Sequence, residues 1–123
     1  MKDKKILLVD DDPFFLHSLS QAIHKLFGFK GEVKEVGNGE DAIKEAASCF
    51  YNLCFLDINL PDMNGLDVMK KIYTLSPETK VAIMTASYLT EEIKETIKEN
   101  AFLFIEKPPD LNQVKSFVNE VLC

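Results

Sequence analysis

The sequence contains no long apolar run. None of its segments approaches the ~20 consecutive apolar residues that a membrane-spanning helix needs. The chain begins with the basic segment MKDKK, but the apolar stretch that follows, Ile6 to Val9, is too short for the core of a secretion signal. We therefore expect a cytoplasmic protein with no membrane association.

Cysteine is scarce, being limited to Cys49, Cys54 and Cys123. The number is odd and no pair has the spacing of zinc ligands, so the pattern indicates neither a disulfide framework nor a zinc site. A reducing compartment suits such usage. Cys54 lies inside an apolar run and is expected to be a small buried hydrophobic residue.

Positive charge is also in deficit, with 14 Lys and Arg against 20 Asp and Glu and a formal net charge of −6. An acidic domain repels phosphate backbones, so we expect no direct binding of nucleic acid. Internal repeats, low-complexity segments and linkers are missing, which predicts a single domain over residues 1–123. A chain of this size buries roughly two-thirds of its unfolded surface and needs no disulfide or metal for stability.

Short apolar runs alternate with helical patterns along the chain. Strands are predicted at residues 6–9, 32–36, 53–58, 81–86 and 102–107. Most are almost continuously apolar, as in strands covered on both faces, whereas EVKEV at 32–36 alternates and is assigned to a sheet edge. Helices are predicted from Pro13 to Phe27, Asn38 to about Ser48, Gly65 to Leu75, from Thr90 onward, and Asp110 to about Leu122.

Local signals define the helix ends and faces. Asp12 is expected to cap the first helix and Gly28 to end it. Ala47 and Leu75 are assigned to the buried faces of the second and third helices. The order β–α, repeated five times, predicts an α/β protein: a doubly wound, five-stranded parallel sheet with five helices on both faces.

Polar residues end four of the predicted strands. The first is followed by Asp10, Asp11 and Asp12, and the others end in Asp57, Thr85 and Lys107. Ligands of such sheets bind outside the carboxyl ends of the strands. Taken singly, these are ordinary loop, strand and surface residues, and Asp12 has a capping role. Their joint placement indicates a functional site.

Crowded carboxylates repel each other and raise each other's pKa values. A hard divalent cation removes that cost, and Mg²⁺ prefers a few carboxylate oxygens together with water. Asp10 and Asp11 are therefore the candidate metal ligands. A lone charge at Asp57, after an apolar run, would be costly unless it is paired or liganded.

The residues that carry these features resemble the receiver domain of two-component response regulators. The similarity covers nearly the whole chain and rests on VDDD (9–12), GNGEDA (37–42), FLDINLPDMNG (55–65), MTAS (84–87) and EKP (106–108). It implies a chemotaxis-regulator-like fold with the flavodoxin-like strand order 2-1-3-4-5. It also implies a signalling phosphoacceptor rather than an enzyme, one that assists its own phosphotransfer and the hydrolysis of its aspartyl phosphate.

The resemblance assigns roles position by position. Asp57 would accept the phosphoryl group, Lys107 would contact a phosphoryl oxygen, and Thr85 would donate its hydroxyl. Mg²⁺ would be held by Asp10, Asp11 and Asp57 and by the backbone carbonyl of Asn59. Asn59 and Ser87 would tune hydrolysis, and Lys107–Pro108 would be a cis peptide. The switch residues would be Thr85 and Phe104; Phe104 either rotates into space vacated by Thr85 or is a fixed core aromatic.

The implied partners are a sensor histidine kinase or histidine phosphotransfer protein, and a downstream effector or a covalently attached output domain. The surface formed by helix four, strand five and helix five would change on phosphorylation, with a phosphorylation-dependent homodimer as one form of output. A stand-alone receiver and the receiver of a longer regulator both remain open.

Three rival interpretations remain. A haloacid-dehalogenase-like phosphatase also uses a strand-end Asp, but it needs a second Asp where this chain has Asn59. A flavodoxin-like nucleotide binder needs a phosphate-cradling loop after strand one, where this chain is acidic. An interaction module without phosphorylation would not need all five site residues.

Overall fold

A computed structural model describes residues 3–122 of the chain. The predicted domain covers residues 1–123, of which residues 1 and 2 and Cys123 lie outside the described residues. The strands are β1 (Lys5–Val9), β2 (Glu32–Val36), β3 (Leu53–Asp57), β4 (Lys80–Thr85) and β5 (Leu103–Glu106). All neighbouring strands pair in parallel, in the order β2-β1-β3-β4-β5. The predicted sheet and the edge position of EVKEV are confirmed.

The helices are α1 (Pro13–Gln21), α2 (Gly39–Ser48), α3 (Gly65–Leu75), α4 (Glu91–Asn100) and α5 (Leu111–Leu122). The residue before each of the helices α1 to α4 is an N-cap, because its side chain accepts hydrogen bonds from backbone N–H groups of the first turn. These residues are Asp12, Asn38, Asn64 and Thr90. Within residues 3–122, no helix is long and apolar enough to cross a bilayer.

The first helix changes its winding before it ends. Residues Ala22–Leu26 continue α1 as a π-helical segment. Gly28 then adopts a φ of 71°, a left-handed conformation that glycine accepts without steric cost. The predicted end of this helix at Gly28 is confirmed, whereas the change to π geometry was not foreseen from the periodicity.

Alternate residues of each strand enter opposite halves of the core, because successive side chains point to opposite faces. Ile6 and Leu8 pack with residues of α1 and α5, whereas Leu7 and Val9 pack with residues of α2, α3 and α4. Both faces of the sheet are therefore covered, which explains the continuously apolar strand sequences. Cys54 is fully buried, as expected.

Two inward assignments on the helices are wrong. Ala47 is exposed, and Leu75 is 44% exposed, whereas Val68 is fully buried on α3. At 3.6 residues per turn, Ala47 and Leu75 each lie roughly 80° around the axis from the centre of the buried stripe. The prediction of burial therefore failed because it used the apolar character of Ala47 and Leu75 and not their angular position on the helix.

Candidate functional site

The carboxyl ends of four strands bring the predicted site residues to one edge of the sheet. Asp10 follows β1, Asp57 and Thr85 end β3 and β4, and Lys107 follows β5. The carboxylate oxygens of Asp10, Asp11 and Asp57 lie within 4.8 Å of one another. The parallel register produces this meeting, because residues distant in sequence end neighbouring strands.

Asp10 is buried, with only 1% of its surface exposed, and its carboxylate is held on both sides. Its Oδ1 accepts from the backbone N–H of Asp12 at 2.9 Å, and its Oδ2 accepts from the ammonium of Lys107. Burial raises the pKa of Asp10 above its ordinary range, and the hydrogen bond from Lys107 offsets part of that rise. The Lys107 ammonium therefore favours the charged form of this buried carboxylate.

Asp57 is also buried, at 6% exposure, and uses both of its oxygens. Oδ1 accepts from the backbone N–H of Asn59 at 3.1 Å, and Oδ2 lies 3.2 Å from Nζ of Lys107. Asp11, in contrast, is exposed. The cluster thus combines two buried carboxylates with one that faces solvent.

Lys107 is fixed at its backbone and at its ammonium. Its N–H donates to the carbonyl of Thr85 at 2.9 Å, and the Lys107–Pro108 peptide is cis, as the resemblance implied. Only 16% of the side chain is exposed. Burial alone would lower the pKa of Lys107, but the hydrogen bond and the charges of Asp10 and Asp57 raise it overall. The lysine is held as a cation between two carboxylates.

Thr85 and its neighbours form the other side of the site. Thr85 is 2% exposed, and its Oγ1 accepts from the backbone N–H of Ser87 at 3.0 Å. The side-chain amide of Asn59 donates to Oγ of Ser87, which links the loops after β3 and β4. Asn59 and Ser87 are thus in contact at the mouth of the site.

Phe104 is half-buried and lines a cavity of about 190 Å³ next to Thr85. Ser87, Leu89 and Lys94 are among the other residues of this cavity wall. The two predicted switch residues therefore share one cavity between β4, β5 and α4.

The loop after Asp57 depends on a glycine. A Cβ at Gly65 would lie 2.4 Å from the carbonyl oxygen of Asp57 and 2.5 Å from Cα of Ile58. The N–H of Gly65 also donates to the carbonyl of Ile58 at 2.8 Å. Glycine lets the start of α3 approach the backbone of Asp57 that closely.

Asp62 makes contacts that the sequence did not predict. Its carboxylate accepts from the backbone N–H groups of Gly39 at 2.8 Å and Glu40 at 2.9 Å, so the loop after β3 caps α2. These two hydrogen bonds lower the pKa of Asp62. A carboxylate one residue after the loop proline was a visible signal, but its partners lie in another part of the sequence.

The donor set suits a hard cation. Every side-chain donor in the cluster of Asp10, Asp11 and Asp57 is a carboxylate oxygen, the type of ligand that Mg²⁺ prefers. The short separation of these oxygens allows one ion to contact several of them. The chemistry of the residues therefore fits a divalent cation.

A family model described as "Response regulator receiver domain" matches residues 6–119. The chain belongs to this family. Receiver domains are signalling modules of two-component systems, not classical enzymes. This one has a CheY-like fold with an acidic pocket at the carboxyl ends of its strands.

Three relatives illustrate the similarity. The chemotaxis protein CheY of Thermotoga maritima is 31% identical over 96% of this receiver domain and 97% of its own length. The response regulator protein PilR of Pseudomonas aeruginosa is 31% identical over 99% of this chain, which spans only 27% of PilR. The crystal structure of TrrA from Thermotoga maritima, in complex with Mg²⁺-BeF, has a TM-score of 0.81 and 27% identity, covering 96% of this chain and 98% of TrrA.

Proposed function

We propose that Asp57 accepts a phosphoryl group from a phosphohistidine on a sensor histidine kinase or a histidine phosphotransfer protein. One observation carries the proposal: the buried carboxylate of Asp57 lies against the ammonium of Lys107 and within 4.8 Å of two further carboxylates. Carboxylates act as nucleophiles in phosphoryl transfer and form aspartyl phosphates.

In the proposed reaction, one oxygen of Asp57 attacks the phosphorus atom. The O–P bond forms as the P–N bond breaks, and the electron pair stays on the imidazole nitrogen. Lys107 approaches an equatorial phosphoryl oxygen and compensates its negative charge. Catalysis of this kind consists mainly of positioning and charge neutralisation.

Asp10, Asp11 and Asp57 would hold Mg²⁺, together with the backbone carbonyl of Asn59. The all-oxygen donor set supports this assignment, as does the Mg²⁺ in the TrrA complex. When bound, Mg²⁺ would supply positive charge that offsets the carboxylates and the phosphoryl oxygens. The exposed Asp11 would be the carboxylate most accessible to an incoming ion.

Water later attacks the phosphorus of the aspartyl phosphate, which releases inorganic phosphate and restores the carboxylate. Asn59 and Ser87, in contact at the mouth of the site, would govern the access of that water. The receiver would thus assist its own phosphorylation and dephosphorylation without being an enzyme that turns over an external substrate.

Thr85 and Phe104 would couple phosphorylation to the surface of α4, β5 and α5. The hydroxyl of Thr85 would turn from the N–H of Ser87 toward the phosphoryl group, and Phe104 would move into the shared cavity. Phosphorylation adds nearly two negative charges, enough to bias two pre-existing states that differ by a few kcal/mol.

The altered surface would act on a downstream effector, an attached output domain or a second phosphorylated copy of the chain. We expect residues 1–123 to act as one receiver domain in the cytoplasm, since the odd number of cysteines suits a reducing compartment. The acidic net charge of −6 supports the absence of direct contact with nucleic acid or a membrane.

Intact mass measurement tests the proposal. The protein is incubated with acetyl phosphate and Mg²⁺, and wild type is compared with Asp57→Asn. We expect the mass of one phosphoryl group to be added to wild type only, and the adduct to disappear when the donor is removed. A persistent adduct on Asp57→Asn would move the acceptor elsewhere. Turnover of a phosphoester by wild type would favour the phosphatase interpretation instead.

A further inference from the structure

The ammonium of Lys107 has a third neighbour that is not a carboxylate. Its Nζ lies 4.4 Å from the centroid of the Phe15 ring, within the range of a cation–π contact. The same ammonium donates to Asp10 and lies 3.2 Å from Oδ2 of Asp57. One aromatic face and two carboxylates therefore surround the lysine at the site.

The position of Phe15 is itself tied to the acidic cluster. Oδ1 of Asp12 accepts from the backbone N–H of Phe14 at 3.0 Å and of Phe15 at 3.3 Å. The backbone N–H of Asp12 in turn donates to Asp10 at 2.9 Å. The first turn of α1 thus places the ring by a short chain of hydrogen bonds that starts at the site.

From these contacts we infer that Phe15 is a positioning residue, whose ring face keeps the ammonium of Lys107 beside the acceptor carboxylate. The inference rests on the proposed function of Asp57 and Lys107. Lysine has a long flexible stem, so an unrestrained ammonium would sample many positions away from Asp57.

The interaction of the Phe15 ring with Lys107 differs from that of the carboxylates in how it depends on metal binding. Asp10 and Asp57 are also the proposed metal ligands, so a bound cation would weaken the attraction between these carboxylates and the ammonium of Lys107. The Phe15 ring is not a ligand of that cation. Its attraction to the Lys107 ammonium therefore does not depend on whether the carboxylates bind metal. Phe15 therefore restrains Lys107 when the carboxylates are engaged elsewhere.

Phe15 also packs against the core on the α1 and α5 side of the sheet, so a test must separate packing from the cation–π contact. Phe15→Leu keeps an apolar side chain but removes the ring. Phe15→Tyr restores a ring at the same place. Phe14→Leu is the matched control, because Phe14 is the preceding residue and is 83% exposed. Site-specific replacement of Phe15 by pentafluorophenylalanine keeps the ring shape and removes the negative face.

Three measurements are made on each protein. The phosphorylation rate with saturating acetyl phosphate and Mg²⁺ should fall roughly three- to tenfold in Phe15→Leu, the range expected for loss of such a contact. Phe15→Tyr and Phe14→Leu should match wild type, and the fluorinated ring should behave like leucine. Mg²⁺ affinity should not weaken in any of them. NMR without metal should show upfield ring-current shifts of the Lys107 ε-methylene protons in wild type, lost in Phe15→Leu and kept in Phe15→Tyr.

Each outcome has a distinct meaning. A normal rate in Phe15→Leu and in the fluorinated protein, with an active wild type, would overturn the inference and leave the proposed function intact. A rate loss with weakened Mg²⁺ binding and unchanged Lys107 shifts would also overturn it, because the effect would then be structural. A wild type that takes up no phosphoryl group would refute the proposed function, and this inference with it.

Discussion

Lys107 Nζ lies 3.2 Å from Oδ2 of Asp57, a residue fifty positions earlier in the chain, and donates at the same time to Oδ2 of Asp10. One ammonium therefore joins carboxylates that follow two different strands. Both carboxylates are buried, so the electrostatic balance of the site depends on this single side chain and on any cation that binds beside it.

Replacing Lys107 by methionine should separate its structural and chemical contributions. The change keeps an apolar stem but leaves the buried Asp10 without its ammonium, so we expect a loss of about 1–3 kcal/mol of stability in metal-free buffer. The phosphorylation rate with acetyl phosphate should fall about 100-fold, as for loss of a charge-stabilising donor. Urea unfolding and the time course of intact mass measure the two effects.

Mg²⁺ provides the control for this variant. Because a bound cation also compensates the carboxylates, saturating Mg²⁺ should narrow the stability gap between wild type and Lys107→Met. A gap that is unchanged by Mg²⁺ would contradict the electrostatic explanation.

Asp11→Asn should weaken Mg²⁺ binding while sparing the fold. Asp11 is exposed and belongs to the carboxylate cluster, so removing its charge takes away a cation ligand and also relieves repulsion. We expect Mg²⁺ affinity to fall at least about tenfold. The thermal midpoint in EDTA should stay equal or rise slightly. Calorimetric titration and thermal unfolding test both parts, and a lower midpoint in EDTA would show that Asp11 has a structural role instead.

Much of the architecture could be predicted because its causes are local. The bounds of α3 and β2 match the predictions, and Asp12 caps α1 as expected. The helices predicted to start at Asn38 and Thr90 begin one residue later, and these two residues are their N-caps. Continuous apolar strands indicate a sheet covered on both faces, and this sheet brings its polar strand ends together. The meeting of Asp10, Asp57 and Lys107 thus follows from periodicity plus topology.

The features that were missed depend on contacts between distant segments. The hydrogen bonds of Asp62 to the start of α2 and the ring of Phe15 beside Lys107 require the relative positions of two loops and a helix. The π-helical segment of Ala22–Leu26 likewise carries no periodic signal of its own. Periodicity reports which side of an element is buried, and it contains no information on which distant group a polar or aromatic side chain meets.

Two glycines near the site should respond very differently to an added methyl group. At Gly65 the new Cβ would lie 2.4 Å from the carbonyl oxygen of Asp57, so the backbone must shift, and we expect a loss of about 1–3 kcal/mol with slower phosphorylation. At Gly37 the nearest atom would be 3.8 Å away, an ordinary contact, and Gly37→Ala should be close to neutral. Urea unfolding of the two alanine variants measures the difference; equal stability would contradict the close approach of α3 to Asp57.

Asp62 should contribute stability only while it is ionised. Its hydrogen bonds from Gly39 and Glu40 lower its pKa in the folded state, so its contribution is present at neutral pH and is lost as the pH falls below about 4, through the lowered folded-state value. Asp62→Asn removes the charge and one acceptor. Wild type should therefore unfold at a higher temperature than Asp62→Asn at pH 7, and the gap should shrink on acidification.

The control for Asp62→Asn is Glu120→Gln, which removes an exposed carboxylate from α5. Thermal midpoints of the three proteins between pH 7 and pH 3 give the comparison. If the Asp62→Asn gap were the same at both ends of this range, the contribution would come from packing of the loop. A difference in thermal midpoint from wild type that shrinks on acidification for Asp62→Asn but not for Glu120→Gln assigns this stability to the charged carboxylate that joins the loop after β3 to α2.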